Sequence, residues 1–361
     1  MRYHYLDNLR AILMMLGVVL HTCAAFSIHK YWVVSYPESI AWTDAVNNAI
    51  FFFRMPMFFL ISGFFAILLL QKWTVTKFLS NKLLRIGLPL VVALLAFNLP
   101  QQFLLSSQST TSTYQISFKS GHLWFLINLL VYFFVIVLFY PMMKFVSEKL
   151  NDKHSVVYSF LILLLAPFIN VALKALYQLG IPIYDDILLV GSIDRLFDQF
   201  DYFVIGACLY FILRTRITAL VKSKIWTLAA VFLFFGSYLT TVLINFDGQG
   251  MVDTVMTIVF TRWQVIGICM FLLCAGFYLL DNTNPFIQGL FNASYSVYLI
   301  HHLIIVLLVL IASNYLPGLI NPNLVFIFIL VSALTFSYSF HHFIVAKSKV
   351  FSLLFNGKTK Q

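Results

Sequence analysis

The amino-acid sequence predicts an all-α, polytopic membrane protein. Of its 361 residues, 61% are hydrophobic and only 10% are charged, whereas ordinary soluble domains carry about 25% charged residues. Apolar runs of roughly 20 residues, the length that crosses a bilayer as a helix, recur along the whole chain. Because every polar stretch between them is short, we expect a single integral-membrane domain over residues 1–361.

The apolar runs predict ten transmembrane helices. Their expected bounds are 8–29, 46–70, 86–105, 122–145, 155–179, 199–214, 224–244, 257–280, 294–313 and 323–345. No small-residue cleavage site follows the first run, so we expect a retained helix rather than a signal peptide. Residues 72–85, KWTVTKFLSNKLLR, combine apolar positions at helical spacing with a basic face, which predicts a helix along the membrane interface.

The distribution of Lys and Arg predicts that both termini are cytoplasmic. With the N-terminus inside, seventeen of the 23 Lys and Arg residues fall in inner segments and four in outer ones. Cytoplasmic loops carry such an excess of positive charge. The acidic stretch 184–201 and the Ser/Thr-rich stretch 106–121 are then expected to be outer segments. The net charge of +10 therefore reflects membrane topology, and no nucleic acid partner is predicted.

The cysteines do not predict a metal site or a disulfide framework. All four lie in apolar runs, without zinc-like spacing, and we expect them to be packing residues. They are Cys23, Cys208, Cys269 and Cys274.

Ionisable residues inside predicted spans mark a candidate functional site, because charge is expensive in a bilayer. His21 lies 13 residues into the first span, about 20 Å from its inner end. Arg54 lies eight residues below the outer end of the second span, so both side chains are expected in the outer half. Arg10, 11 residues before His21, is expected about 16 Å below it.

Other polar residues extend this pair toward both faces of the membrane. His301, seven residues into the ninth predicted span, is expected closer to the inner side, and His122 at the outer surface. The predicted line runs from Asp7, Arg10, Lys82 and Arg85 inside, through His301, to His21 with Arg54, and to His122 and Trp124 outside. This order suits a reaction between a charged donor inside and an acceptor outside.

Each of these residues also has a structural interpretation. His21 is equally well explained as a hydrogen-bonded packing histidine, and Arg54 as the counter-ion of a buried acid such as Asp201. The inner cations are also explained as ordinary positive-inside residues.

Two further patterns have structural meaning. The pairs His301–His302 and His341–His342 resemble metal ligands, but adjacent helical residues point about 100° apart, so no metal site is predicted. In FFFRMPMFFLISGFF (51–65), Ser62 and Gly63 allow a neighbouring helix to approach closely, and Pro56 can kink the helix.

Four stretches resemble motifs of the acyltransferase-3 membrane family. YLDNLRAILMMLGVVLH (5–21) resembles its opening motif, with an Arg and a His 11 residues apart. FRMPMFFLISGFF (53–65) resembles its second-helix motif, and HLWFLINLLVYF (122–133) and NASYSVYLIHH (292–302) resemble later ones. The motifs occur in the family's order, from one end of the chain to the other.

The resemblance implies ten helices with both ends cytoplasmic, an acyl-CoA donor inside and a sugar hydroxyl acceptor in the periplasm. The motifs are most similar to the branch of the family that succinylates osmoregulated periplasmic glucans in the bacterial inner membrane. No permanently bound cofactor is implied; succinyl-CoA or acetyl-CoA is the co-substrate. The implied partners are the donor, an envelope glycan and membrane lipids, and the oligomeric state is left open.

The resemblance also implies roles for individual residues. It makes His21 the expected catalytic residue. From the chemistry of acyl transfer we expect His21 to be the general base or a transient acyl acceptor, and Arg54 to orient the donor carboxylate or stabilise an oxyanion. The family's inner Arg-x-x-Arg pair appears here as Lys82 and Arg85, and lysine offers a point charge where arginine offers a bidentate fork. The remaining expectations are acyl-CoA binding by Arg10, Lys82, Arg85 and His301, acceptor binding by His122 and Trp124, and structural or orienting roles for Asp7, Ser62 and Gly63.

Two alternatives stay open for the function. One is an O-acetyltransferase of another cell-envelope polysaccharide. The other, from a different class, is a multi-span solute exporter, in which the polar line is a permeation path; the absence of a visible internal repeat in the sequence argues against it.

Overall fold

A computed structural model of the chain describes residues 3–108, 120–150, 154–179, 186–187, 191–213, 220–244, 250–281 and 285–358. Most of the Ser/Thr-rich stretch and part of the acidic stretch lie outside these residues. Within the described residues the regular secondary structure is helical apart from one short antiparallel pairing, Asp186–Ile187 with Gly191–Ser192. The prediction of an all-α polytopic membrane protein is confirmed.

Thirteen helices are named here in chain order. They are α1 (His4–Ala25), α2 (Ala41–Leu70), α3 (from Val75 to Gln108), α4 (Trp124–Lys149), α5 (Ser155–Leu165), α6 (Pro167–Gln178), α7 (Ile193–Phe197), α8 (Phe200–Leu213), α9 (Lys224–Ile244), α10 (Met251–Leu280), α11 (Pro285–Tyr315), α12 (Pro322–Ser339) and α13 (Lys349–Asn356).

Nine helical segments in the described residues are long and apolar enough to cross a membrane. They correspond to nine of the ten predicted spans. The remaining span, predicted at 199–214, contains α8, whose 14 described residues fall short of a bilayer's thickness.

Helix α3 differs from the sequence-based expectation. A separate interfacial helix was predicted over 72–85, but the helical run that begins at Val75 continues without a break into the third span. Two π-helical turns, Leu83–Gly87 and Leu94–Asn98, lie within it. Each contains the carbonyl four residues before a proline, Pro89 or Pro100, so the wider turns relieve the clash that would otherwise break the helix.

The chain divides into two compact units, each assembled from separate segments. The first unit comprises residues 1–9, 55–79 and 131–282, and the second comprises 10–54, 80–130 and 283–361. The single domain expected from the sequence stays a prediction.

In the first unit, helices α2 and α8 meet through glycines. A side chain at Gly63 would overlap the carbonyl of Phe203, and one at Gly206 would overlap the carbonyl of Leu60. The backbones of α2 and α8 are therefore in direct contact, an approach that small residues allow in membrane helices. Ser62, next to Gly63, satisfies its hydroxyl within α2 by donating to the Phe58 carbonyl at 2.8 Å.

The first unit also contains a buried ion pair. Asp201 is fully buried, and its carboxylate lies 3.6 Å from Arg262, which pairs with Asp198 at 2.5 Å as well. The counter-ion of Asp201 is therefore Arg262, in place of the Arg54 pairing considered from the sequence.

The second unit has an apolar core between α1, α11 and α12, closed by the segment 27–40 that joins α1 to α2. This outer segment folds back on α1: the Tyr36 amide donates to the Ala25 carbonyl at 2.8 Å, and the Ile40 amide to the Phe26 carbonyl at 2.9 Å. Because Tyr36 and Phe26 are fully buried in the core, the segment has a fixed conformation and positions its side chains over α1.

Enlarging Gly206 should weaken the first unit. We expect Gly206→Ala to lower the melting temperature of the detergent-purified protein, because overpacking typically costs about 1–3 kcal/mol. Gly250→Ala is the matched control, since a β-carbon there meets nothing within 4 Å. Equal melting temperatures for the two variants, measured by a thermal unfolding assay, would contradict the packing described.

Candidate functional site

Four histidines of the second unit form one cluster. His21 comes from α1, His122 from the 3-10 turn that precedes α4, and His301 and His302 from α11. The rings of His122 and His302 stack with centroids 4.5 Å apart, and His21 lies 4.9 Å from His302 and 5.4 Å from His301. No pair in this histidine cluster is separated by more than 6.5 Å.

The two histidines of α11 have different partners because consecutive helical residues point in different directions. His301 donates from Nδ1 to the Tyr298 carbonyl, 2.7 Å away, which leaves Nε2 as the basic nitrogen of a neutral ring. No described residue hydrogen-bonds to that Nε2. The Nδ1 of His302 lies 2.8 Å from the Gln101 side-chain oxygen on α3.

A turn and a tyrosine position His122. Gly121 has a φ of +52°, which a residue with a side chain rarely adopts, and this turn places His122 just before α4. The Tyr298 hydroxyl donates to the His122 carbonyl and so ties this turn to α11. The ring of His122 is thereby held against His302.

Arg54 is the cation of the site. Its side chain is only 8% exposed and lies against α1 at Gly17, where a β-carbon would overlap the guanidinium. The guanidinium is within electrostatic reach of His21 and His301. Among the described residues no carboxylate lies within ion-pair distance of it, and its Nε has no hydrogen-bond partner.

His21 is the least buried of the four histidines. It is half-buried, whereas His301 is fully buried, and no described residue hydrogen-bonds to its Nδ1. Trp32, from the outer segment 27–40, stacks on His21 with ring centroids 5.8 Å apart and contacts His302 at 4.9 Å. An aromatic face therefore lies beside the most accessible imidazole.

The predicted inner cations also come together in the second unit. Lys82 is within electrostatic reach of both Arg10 and Arg85. Arg10 and Lys82 are half-buried, while Arg85 is exposed. Three positive charges are therefore close to one another along α1 and α3.

His301 lies elsewhere than the sequence predicted. It was expected closer to the inner side than His21, but its ring lies beside that of His21 in the cluster. The reason is the length of α11, which begins at Pro285 rather than near residue 294, so that His301 is near the middle of the helix.

The other predicted residues are placed as follows. Asp7 lies in the first turn of α1, Trp124 is the half-buried first residue of α4, and Ser62 and Gly63 belong to the first unit.

Sequence reasoning missed three members of the site. His302 was considered only as half of a metal-like pair, and neither Trp32 nor Gly17 was singled out. The described residues contain no group of three His, Cys, Asp or Glu side chains that could hold a metal ion. A glycine one helical turn before a histidine on an apolar helix is the only local signal for Gly17.

Comparison with known proteins identifies the family. The family described as "Acyltransferase domain" (acyltransferase-3) matches residues 3–342. The chain belongs to this family. It is therefore a multi-span membrane acyltransferase, and the histidine cluster with Arg54 lies within the matched region.

Curated relatives cover most of the chain. It is 28% identical over 322 residues to "Glucans biosynthesis protein C" of Escherichia coli (strain K12), which spans 83% of this chain and 81% of the relative. The protein of the same name from Shigella dysenteriae serotype 1 is 28% identical over 319 residues, with the same coverage. No solved structure matches the chain.

Gly17 should control the position of Arg54. We expect Gly17→Ala to displace the guanidinium and lower kcat/KM of acyl transfer at least tenfold, equivalent to about 1.4 kcal/mol. Gly276→Ala is a suitable control, because its β-carbon would make only an ordinary contact with Leu9. Activity of Gly17→Ala equal to that of the control would contradict the packing of Arg54 on α1.

Proposed function

We propose that the protein transfers an acyl group, succinyl in the first instance, from cytoplasmic acyl-CoA to hydroxyls of a periplasmic glucan in the bacterial inner membrane. The observation that supports this most strongly is the position of half-buried His21 within electrostatic reach of Arg54, for which the described residues provide no carboxylate, in an acyltransferase-3 chain. The name of the relatives, glucans biosynthesis protein C, supports a glucan acceptor.

His21 has the chemistry of a general base. Transfer to a sugar requires that a hydroxyl lose its proton as its oxygen attacks the thioester carbonyl. A neutral imidazole takes this proton, the carbon–sulfur bond breaks, and the imidazolium returns the proton to the departing CoA thiolate. The neighbouring imidazoles and Trp32 hold the His21 ring in place.

Arg54 supplies positive charge where the reaction develops negative charge. A guanidinium beside the reacting carbonyl stabilises the oxyanion of the tetrahedral intermediate. It also matches a carboxylate with two parallel hydrogen bonds. A succinyl group carries such a carboxylate and an acetyl group does not, so Arg54 supports succinyl as the preferred donor.

The acceptor and donor would contact different parts of the second unit. On the outer side we assign the acceptor to His122 and Trp124, and we add Trp32, because an aromatic face suits the apolar face of a pyranose ring. On the inner side we assign the CoA phosphates to Arg10, Lys82 and Arg85, which are close together. We assign His301 to the donor as well, because no described residue hydrogen-bonds to its Nε2.

The proposal is tested with purified protein in liposomes. Labelled succinyl-CoA or acetyl-CoA is supplied on the side of the termini and linear glucan on the other. We expect label on the glucan, with succinyl-CoA the better donor. Label from acetyl-CoA alone would favour the O-acetyltransferase alternative, and movement of intact solute without covalent change would favour an exporter.

The base should be indispensable in this assay. We expect His21→Ala to lower kcat by about 10²–10⁴-fold, the usual contribution of a general base. His29→Ala is the control, because His29 lies exposed beyond the end of α1. A His21→Ala protein that inserts normally and acylates glucan at the wild-type rate would remove His21 from the mechanism.

Trp32 should affect the acceptor rather than the donor. We expect Trp32→Ala to raise KM for glucan about tenfold, or about 1.4 kcal/mol, with KM for acyl-CoA unchanged, and Trp32→Phe to restore part of the loss. Trp42→Ala provides a second outer tryptophan for comparison, bonded through Nε1 to Asn323. An effect on KM for the donor alone would contradict the acceptor role.

A further inference from the structure

The second unit contains a cavity separate from the histidine cluster. It has a volume of about 570 Å³ and lies where the start of α3, the start of α11, the end of α12 and α13 meet. None of the four clustered histidines lines it. By the charge topology it faces the cytoplasm, because Arg85 and Lys358 both belong to predicted inner segments.

The charge of the cavity is positive. Arg85 and Lys358 are the cations of its wall, the imidazoles of His341 and His342 lie beside them, and its described lining includes no carboxylate. The pKa of the Lys358 ammonium is lowered by partial burial and by the positive charge of Arg85. Like charges that are held together without an acid favour an anionic ligand.

The C-terminal helix holds Lys358 in this wall. Gly357 ends α13 with a φ of +56°, and its amide donates to the Leu353 carbonyl at 2.9 Å. A β-carbon at Gly357 would overlap the backbone of Leu84 and Arg85. The left-handed turn therefore brings the end of α13 directly against α3, next to Arg85.

The rest of the lining suits a nucleobase. The rings of Tyr338 and His342 stack, with a 10° angle between them, and present a flat aromatic surface. Side-chain amides of Asn81, Asn292 and Asn356 also line the cavity. Aromatic faces stack on bases, and amides pair with the edge of adenine.

The spacing along shared helices sets the length of a ligand that would reach both the cavity and the histidine cluster. Asn292 in the cavity and His301 in the cluster are nine residues apart on α11, or about 14 Å along its axis. Arg85 and Gln101 are sixteen residues apart on α3, roughly 24 Å. A ligand that occupies both places needs an extended arm between a charged end and a reactive end.

We propose that this cavity binds the adenosine phosphate end of the acyl-CoA donor, with Lys358, His341 and His342 as phosphate-binding residues beside Arg85. The inference rests on the proposed function for the donor's identity, but it concerns a binding step that is measured without acyl transfer. It assigns a substrate-binding role to the C-terminal segment that follows the last span.

The binding test uses the full chain in nanodiscs of neutral phosphatidylcholine, with adenosine 3′,5′-bisphosphate as the probe and calorimetry as the readout. We expect saturable binding that Lys358→Glu weakens at least tenfold. Lys347→Glu is the matched control, because Lys347 lies nearby over the Phe343 ring and does not line the cavity. Absent binding, or equal binding by Lys358→Glu and the wild type, would overturn the proposal.

Two further binding measurements distinguish a nucleotide site from a site for inorganic phosphate or for a lipid headgroup. Inorganic pyrophosphate should bind at least tenfold more weakly than the nucleotide, and Tyr338→Ala should remove most of that difference; equal affinities would overturn the nucleotide assignment. Nanodiscs with phosphatidylglycerol should leave the affinity within twofold. Loss of nucleotide binding there would identify a lipid headgroup site and overturn the proposal as well.

Kinetics distinguish failure of this inference from failure of the proposed function. We expect Lys358→Glu to raise KM for acyl-CoA about tenfold with kcat unchanged at saturating donor. Wild-type acyl transfer with an unchanged KM in the variant would overturn the cavity assignment alone. The opposite result is that the wild type transfers no acyl group but binds the nucleotide, and that Lys358→Glu weakens this binding. It would support the cavity assignment and overturn the proposed function.

Discussion

The contact between Arg54 and Gly17 is the constraint on which the site depends. A buried guanidinium is costly in a membrane protein unless another group compensates its charge. The described residues provide no carboxylate for Arg54, and its guanidinium occupies the space that a side chain at residue 17 would fill. Because residue 17 has no side chain, a cation can lie one helical turn from His21, where the described residues provide no negative charge to pair with it.

Helices α1 and α11 and the turn before α4 bring the four histidines together beside this cation. His301 and His302 are adjacent in sequence, yet one bonds to its own helix and the other to Gln101 on α3. Their rings enclose His21 from two sides. The imidazole of His21 is half-buried and the other three are buried, which supports our proposal that His21 accepts the proton of an incoming hydroxyl.

Hydrophobicity and helical rise predicted the spans and the relative depth of His21 and Arg54. They did not predict the positions of residues that depend on where a helix begins or on how a loop folds. His21 and Arg54 were expected at one depth because the rise per residue is constant, and they lie together. His301 was misplaced because the polar residues Gln288 and Asn292 hide the start of α11, a boundary that hydropathy alone locates poorly. Trp32 could not be foreseen, because its place over His21 depends on the backbone hydrogen bonds of segment 27–40.

The central claim is that Arg54 provides the positive charge for acyl transfer beside His21. It is tested most directly by kcat/KM of Arg54→Gln with succinyl-CoA and acetyl-CoA, in protein whose thermal unfolding matches the wild type. We predict a loss of about 10²–10³-fold, equal for both donors if Arg54 stabilises the oxyanion and larger for succinyl-CoA if it binds the carboxylate. Activity within twofold of the wild type with both donors would contradict it.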